Sequence, residues 1–179
     1  MADSARFRAL FDTAYPSVRR YVLYRGVVGD RADDVVAETF LVAWRRLDDV
    51  PEDDPLPWLL AVARNVWLNQ RRGDRRYAAL LRRLPRPAYD PAPGEPHELD
   101  VVHEALGALG EQDREVLRLV AWDGLSSARA GEVLGCSPGA ARHRLHRARR
   151  RLAAELARRS GSAGQTSREN QPIWEVSDG

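Results

Sequence analysis

Residues 85–96, PRPAYDPAPGEP, hold five prolines and a glycine, so neither a helix nor a strand can run through them. Proline has no amide hydrogen to give to a helical or sheet ladder, and it fixes its own φ. The 179-residue chain is therefore read as two units joined by an extended, acidic, proline-rich linker at 85–97. On both sides of it apolar residues recur every three or four positions, and no stretch shows the period-two alternation of a half-buried strand. The expected fold class is all-α: two small helical domains, 1–84 and 98–159. The tail, 160–179, is polar and rich in small residues and is expected to be disordered, with Ile173–Trp174 an idle apolar pair.

In the first unit, Phe7, Leu10, Phe11, Ala14, Val18, Tyr21 and Val22 predict a helix over about 4–25, kinked or restarted at Pro16. A second helix follows from Arg31 to Leu47, with Asp30 as its N-cap and Val36, Phe40, Ala43 and Leu47 as its core side. Asp48 to Pro55 is an acidic loop. Pro57 opens a third helix with Leu59, Val62 and Val66 inward, reaching Gly73 and continuing or restarting through Leu84. The second unit predicts helices at 98–109 and 111–122, a turn at Asp123–Gly124, a short helix at 127–134 and a long basic one from Ser137.

Charge is segregated along the chain. Residues 30–54 carry three arginines against nine carboxylates, and 87–115 one against eight. Residues 64–86 and 137–159 each carry eight arginines against a single carboxylate. Two basic blocks between acidic ones predict two contacts with a polyanion and acidic surfaces for another partner. The last basic block is also lopsided. Ala141, Leu145, Ala148, Leu152 and Leu156 form one narrow apolar stripe, and His143, Arg144, Arg147, Arg150 and Arg151 lie opposite it. A short helix and a turn at Gly135 precede it, which is the outline of a helix-turn-helix whose second helix enters the major groove. Its reaching residues are Arg142, His143, Arg144 and Arg147.

Residues 111–152, EQDREVLRLVAWDGLSSARAGEVLGCSPGAARHRLHRARRRL, resemble the C-terminal promoter-binding domain of bacterial RNA polymerase sigma factors of the extracytoplasmic-function (ECF) group. FRALFDTAYPSVRRYV, DDVVAETFLVAWRRL and PLPWLLAVARNVWLNQRRGDRR are similar to that group's other domain, in the same order. The resemblance covers about residues 5–80 and 98–157.

It implies a sigma factor that joins core RNA polymerase and directs it to minus-10 and minus-35 promoter elements. The DDVVAETF helix would dock on the clamp helices of the largest polymerase subunit through Asp34, Ala37, Glu38 and Leu41, with Arg45 on the same face. The helix from Pro57 would hold the minus-10 element through Arg64, Asn65, Asn69, Arg72 and Arg76, with Arg71 and Arg75 nearby. Trp67 is a stacking candidate for an unpaired base, with core packing an equal explanation, while Trp58 is assigned to the core. The 48–55 loop would capture a flipped base, and the recognition helix would read minus-35 through Arg142, His143, Arg144 and Arg147. The linker either threads toward the polymerase active centre or is a plain tether. An anti-sigma partner is also implied.

Departures from the family pattern are Ala37 for its usual glutamine and Arg129–Ala130 for its glutamate–isoleucine. A further one is the recognition-helix start, here Gly139, Ala140, Ala141, Arg142, His143, Arg144. Ala130 and Ala141 predict a thinner core at the helix-turn-helix.

Other classes fit less of the chain. His97, His103, His143, His146 and Cys136 are the whole histidine and cysteine inventory, and no spacing among them fixes a metal site. No nucleophile motif, phosphate loop or carboxylate pair is present, so no catalysis and no cofactor are expected. A helix-turn-helix regulator acting without core polymerase explains 98–159 but leaves DDVVAETFLVAW unexplained. With no apolar run near the roughly 20 residues of a span, no membrane insertion is expected. The localisation expected is cytoplasmic, nucleoid-associated in holoenzyme.

Overall fold

The computed structural model describes the backbone of residues 2–81 and 98–169, with side chains over 3–73 and 102–160. Among the described residues seven α-helices run α1 (Ala2–Leu23), α2 (Asp30–Arg45), α3 (Leu56–Leu81), α4 (Glu98–Ala108), α5 (Glu111–Ala121), α6 (Ser127–Leu134) and α7 (Pro138–Glu169). A 3-10 turn at Leu47–Asp49 follows α2, and no strand occurs among the described residues. The linker at 85–97 and Ile173–Trp174 lie outside the described residues.

In the first lobe α1, α2 and α3 pack on one another because their apolar stripes meet. Val18, Tyr21 and Val22 of α1 are closed off by Val35, Val36 and Phe40 of α2 and Leu59, Leu60 and Ala63 of α3. Phe11 and Phe40 pack with ring centroids 4.7 Å apart, and Phe7 meets Phe40 edge-on at 6.4 Å. Helix α1 passes through Pro16 without ending. The bond lost to proline belongs to the stretch around Asp12 and Pro16, and both of those residues are exposed, which lowers the cost of a freed carbonyl. At the start of α2 the cap is Gly29, at φ 61°, rather than Asp30, which is the first helical residue. Asp30 and Asp33 instead favour the positive end of the helix dipole. Helix α3 runs unbroken through Gly73.

The second lobe packs α4, α5 and α6 around α7. Arg114 closes the end of α4: its Nε donates to the Leu106 carbonyl at 2.8 Å, and its Nη2 to Gly107 and Leu109 at 2.7 and 2.8 Å. Those carbonyls are among the acceptors a helix terminus leaves without partners. Ser126 and Ser137 cap α6 and α7 by accepting from Arg129 N and Ala140 N, each at 3.2 Å. Gly135 ends α6 in the left-handed region at φ 66°, as the turn requires. Helix α7 continues to Glu169, ten residues into the stretch expected to be disordered. That stretch holds no proline before Pro172, and Gly161 and Gly164 each cost a helix only about 1 kcal/mol.

The small residues of the helix-turn-helix allow a close approach rather than leave a gap. Ala130 and Ala141 are fully buried, and a Cβ on Gly131 would stand 2.9 Å from the Cys136 carbonyl oxygen and 3.3 Å from Ala141 Cβ. Gly131→Ala is expected to destabilise the chain by about 1–3 kcal/mol through overpacking against backbone. Urea unfolding checks this, and an unchanged midpoint would contradict the packing described.

The lobes meet where α3 packs on α6, and ion pairs cross the junction. Arg25, with 1% of its side chain exposed, places Nη2 2.9 Å from both Glu115 and Asp123. Glu115 also accepts from Tyr21 Oη at 2.9 Å and Arg25 Nε at 3.3 Å, and the Arg25 guanidinium lies 3.5 Å from the Tyr21 ring centroid. At the rim Arg71 pairs with Glu111 at 2.6 Å and Arg129 with Asp54 at 2.7 Å.

Candidate polymerase and nucleic-acid interfaces

Helix α2 buries Val35, Val36, Thr39, Phe40 and Ala43, which forces the intervening positions outward. Asp34, Ala37 and Glu38 are exposed and Leu41 is 40% exposed. All four line one groove of about 740 Å³ between α2 and α3, completed by Val66, Asn69 and Gln70. Its lining combines two carboxylates with the apolar Ala37, Leu41 and Val66, a surface that suits an amphipathic helix with basic flanks.

On α3, Asn65, Asn69 and Arg72 are exposed. Arg72 Nη1 donates to Asn69 Oδ1 at 3.2 Å. Arg64 is apart from this set. It is half-buried, its Nε has no hydrogen-bond partner among the described residues, and its charge is felt by Tyr21 at the lobe junction. The Arg76 side chain lies outside the described residues. Trp67 is half-buried against the core with the Arg71 guanidinium 4.9 Å from its ring centroid, and Trp58 packs on the same core. In the 48–55 loop Glu52 pairs with Arg6 at 3.4 Å and Asp54 with Arg129, while Asp53 is exposed.

On α7, Ala141, Leu145 and Ala148 are buried, so Arg142, His143 and Arg147 project outward and Arg144 is half-buried on the flank. His143, His146, Arg147, Arg150, Arg151 and Ala154 line an open hollow of about 420 Å³ on that outer face. Asp113 of α5, 4% exposed, pairs with Arg151 and lies 4.0 Å from Arg147.

Sequence reasoning missed Asp113, and with it the Tyr21–Arg25–Glu115–Asp123 cluster. The available signal was an acid on the inward face of a helix, since Asp113 stands three residues before Val116 and four before Leu117, at the spacing that shares their face. Burial pulls the Arg25 guanidinium down, yet Tyr21, Glu115 and Asp123 more than offset this and raise it. Burial, with Glu115 beside it, holds the Tyr21 phenol well above its ordinary range, so it stays a hydrogen-bond donor. Burial also raises Asp123, against the pull of Arg25, and burial together with Arg25 lowers Arg118. No group of three histidine, cysteine or acidic side chains fit to hold a metal occurs among the described residues.

A helical lobe with an acidic groove and a basic helix, clasped to a helix-turn-helix lobe, defines a two-part DNA-binding transcription factor. Residues 10–77 match the family model for Sigma-70 region 2, and residues 99–152 that for Sigma-70, region 4. The chain is 33% identical over 165 residues to the ECF RNA polymerase sigma factor EcfG of Rhodopseudomonas palustris, covering 87% of each. It is 31% identical over 164 residues to the ECF RNA polymerase sigma factor SigL of Mycobacterium tuberculosis, covering 87% of this chain and 91% of SigL.

Two solved structures share the fold. The sigma factor RpoE of Bartonella quintana, in complex with the anti-sigma factor NepR, matches at a TM-score of 0.65 and 27% identity, over 84% of this chain and 96% of that one. CnrH, in complex with the cytosolic domain of CnrY, matches at 0.60 and 30% identity, over 84% and 87%. The chain belongs to the ECF RNA polymerase sigma factors. It binds core RNA polymerase and directs promoter-specific initiation at minus-10 and minus-35 elements, and a regulator acting without the polymerase is not favoured. The family consists of transcription-initiation factors that act on DNA, and no helix among the described residues is long and apolar enough to cross a membrane.

Proposed function

We propose that the sigma activity is divided among three helices. The α2 groove, through Asp34, Ala37, Glu38 and Leu41, receives the clamp helices of the largest polymerase subunit. The outer face of α3, through Asn65, Asn69 and Arg72 with Arg64 and Arg76, holds the minus-10 element. The start of α7, through Arg142, His143, Arg144 and Arg147, reads minus-35. Residues 1–84 and 98–159 are then the two working domains and 85–97 the connector between them.

The observation that carries this reading is the grouping of Asp34, Ala37, Glu38 and Leu41 in a single groove, apart from the arginine-bearing face of α7. Arginine and asparagine reach base edges and phosphates in ways that suit the two basic helices. The protein itself performs no catalysis and takes no cofactor; it positions the holoenzyme and assists melting, in the cytoplasm and on the nucleoid. NepR and CnrY are bound to the relatives RpoE and CnrH, and an anti-sigma partner of that class is proposed here too.

In vitro transcription with core enzyme on a library of genomic fragments, with start sites mapped, tests the reading. The expected result is a set of starts sharing two spaced elements that core enzyme alone does not use. Starts no different from those of core enzyme alone would overturn it.

A further inference from the structure

We propose that Asp113 and Arg151 act as a pair that governs whether Arg147 is available to promoter DNA. The inference rests on the reading that the outer face of α7 meets the minus-35 element. Asp113 lies in the first turn of α5 with 6% of its side chain exposed, and a carboxylate so far from water needs a cation beside it. Two cations reach it, both from α7 and one helical turn apart. Arg151 Nη1 is hydrogen-bonded to Oδ2, while Arg147 Nη2 lies 4.0 Å from Oδ1, outside hydrogen-bond range. Both arginines keep half their side chains in solvent, at 49% and 56% exposed, and both line the outer hollow of α7.

One carboxylate between two guanidiniums makes the roles unequal. While Arg151 stays bonded, Asp113 is compensated and Arg147 is free to swing to a phosphate or a guanine edge. Without Arg151, that same swing would strand a desolvated negative charge, so Asp113 would hold Arg147 back. Arg151 is thus the keeper and Arg147 the reader. Asp113 is a positioning residue that also keeps a second arginine from binding any duplex indiscriminately.

The test uses the full chain reconstituted with core polymerase, titrated against labelled promoter and scrambled duplexes over a series of KCl concentrations. Arg151→Ala should weaken promoter binding several-fold and flatten the log K against log salt slope by about 0.9, the share of one phosphate contact. Asp113→Asn should steepen that slope by about 0.9 as Arg151 is released, and should tighten scrambled-duplex binding more than promoter binding. The double variant Asp113→Asn, Arg151→Ala should recover the promoter affinity lost in Arg151→Ala, because nothing then restrains Arg147.

A double variant as weak as Arg151→Ala alone, or an unchanged slope for Asp113→Asn, would overturn the inference. Should Asp113→Asn not fold, Arg151→Lys decides: it still compensates Asp113 and should lose at most about threefold, and a loss equal to that of Arg151→Ala would be contrary. Arg147→Ala separates the two levels. If it leaves promoter binding unchanged, the minus-35 reading fails; if it weakens binding while the double variant does not recover, only the present inference does.

Discussion

Glu115→Gln should lower the thermal midpoint of the chain by about 6–12 °C, the shift about 3 kcal/mol produces in a chain of this size. Glu115 lies at the centre of the lobe junction, accepting from Tyr21 Oη and from both Nε and Nη2 of Arg25. Removing one partner of a buried pair costs about 3–5 kcal/mol, because the other charge is left without compensation in a dry site. The lower end applies because Asp123 stays within 2.9 Å of Arg25.

Asp123→Asn should cost much less. Burial raises the Asp123 pKa in the folded chain, so its charged form already bears a desolvation penalty that Asn does not, and Glu115 stays paired with Arg25. The sign with pH follows. Whatever Asp123 contributes is fully present below the ordinary carboxylate pKa and is lost as pH rises through the raised one. Mild acidification therefore does not open the junction by way of Asp123. Calorimetry on both variants checks the contrast, and equal losses would show that Glu115 is not the centre of the clasp.

Asp34→Lys combined with Glu38→Lys should reduce affinity for core polymerase by about 100-fold or more. The two carboxylates stand one turn apart on the exposed side of α2 and line its groove. The substitutions turn two negative charges into two positive ones, and like charges facing each other across an interface cost several kcal/mol, with each 1.4 kcal/mol a factor of about ten. Both side chains are exposed and lie beyond the first turn of α2, where the helix dipole has faded, so the fold should survive. Surface-immobilised core enzyme gives the affinity directly, and an unchanged value would remove α2 as the docking helix.

Helix type and order were legible because core positions recur at helical spacing: Val36, Phe40 and Ala43 on α2, and Ala141, Leu145 and Ala148 on α7, are buried as their periodicity requires. Boundaries were less legible where local chemistry competes. Asp30 is a good capping residue by type, but Gly29 adopts the left-handed conformation that turns the chain into α2. Pro16 reads as a break, yet it lies on a solvent-facing stretch of a helix held by packing on its other side.

The grouping of Asp34, Ala37, Glu38 and Leu41 followed from spacing within one helix. The place of Arg64 off the face shared by Asn65, Asn69 and Arg72 also follows from spacing, at about 100° per residue; its half-burial and its reach to Tyr21 at the lobe junction do not. The carboxylates that pair with Arg25 lie 90 residues or more away in sequence, and the one that pairs with Arg151 38, so no periodicity within a single helix reveals them.

The division of labour is tested most directly by two variants run side by side with core polymerase: Arg142→Ala, Arg144→Ala, Arg147→Ala as one, and Asp34→Lys, Glu38→Lys as the other. Co-elution with core enzyme and run-off transcription from a promoter carrying both elements are the paired readouts. The account predicts that the arginine variant co-elutes yet initiates poorly, whereas the charge-reversed variant fails to co-elute. Loss of co-elution in both, or in neither, would contradict it.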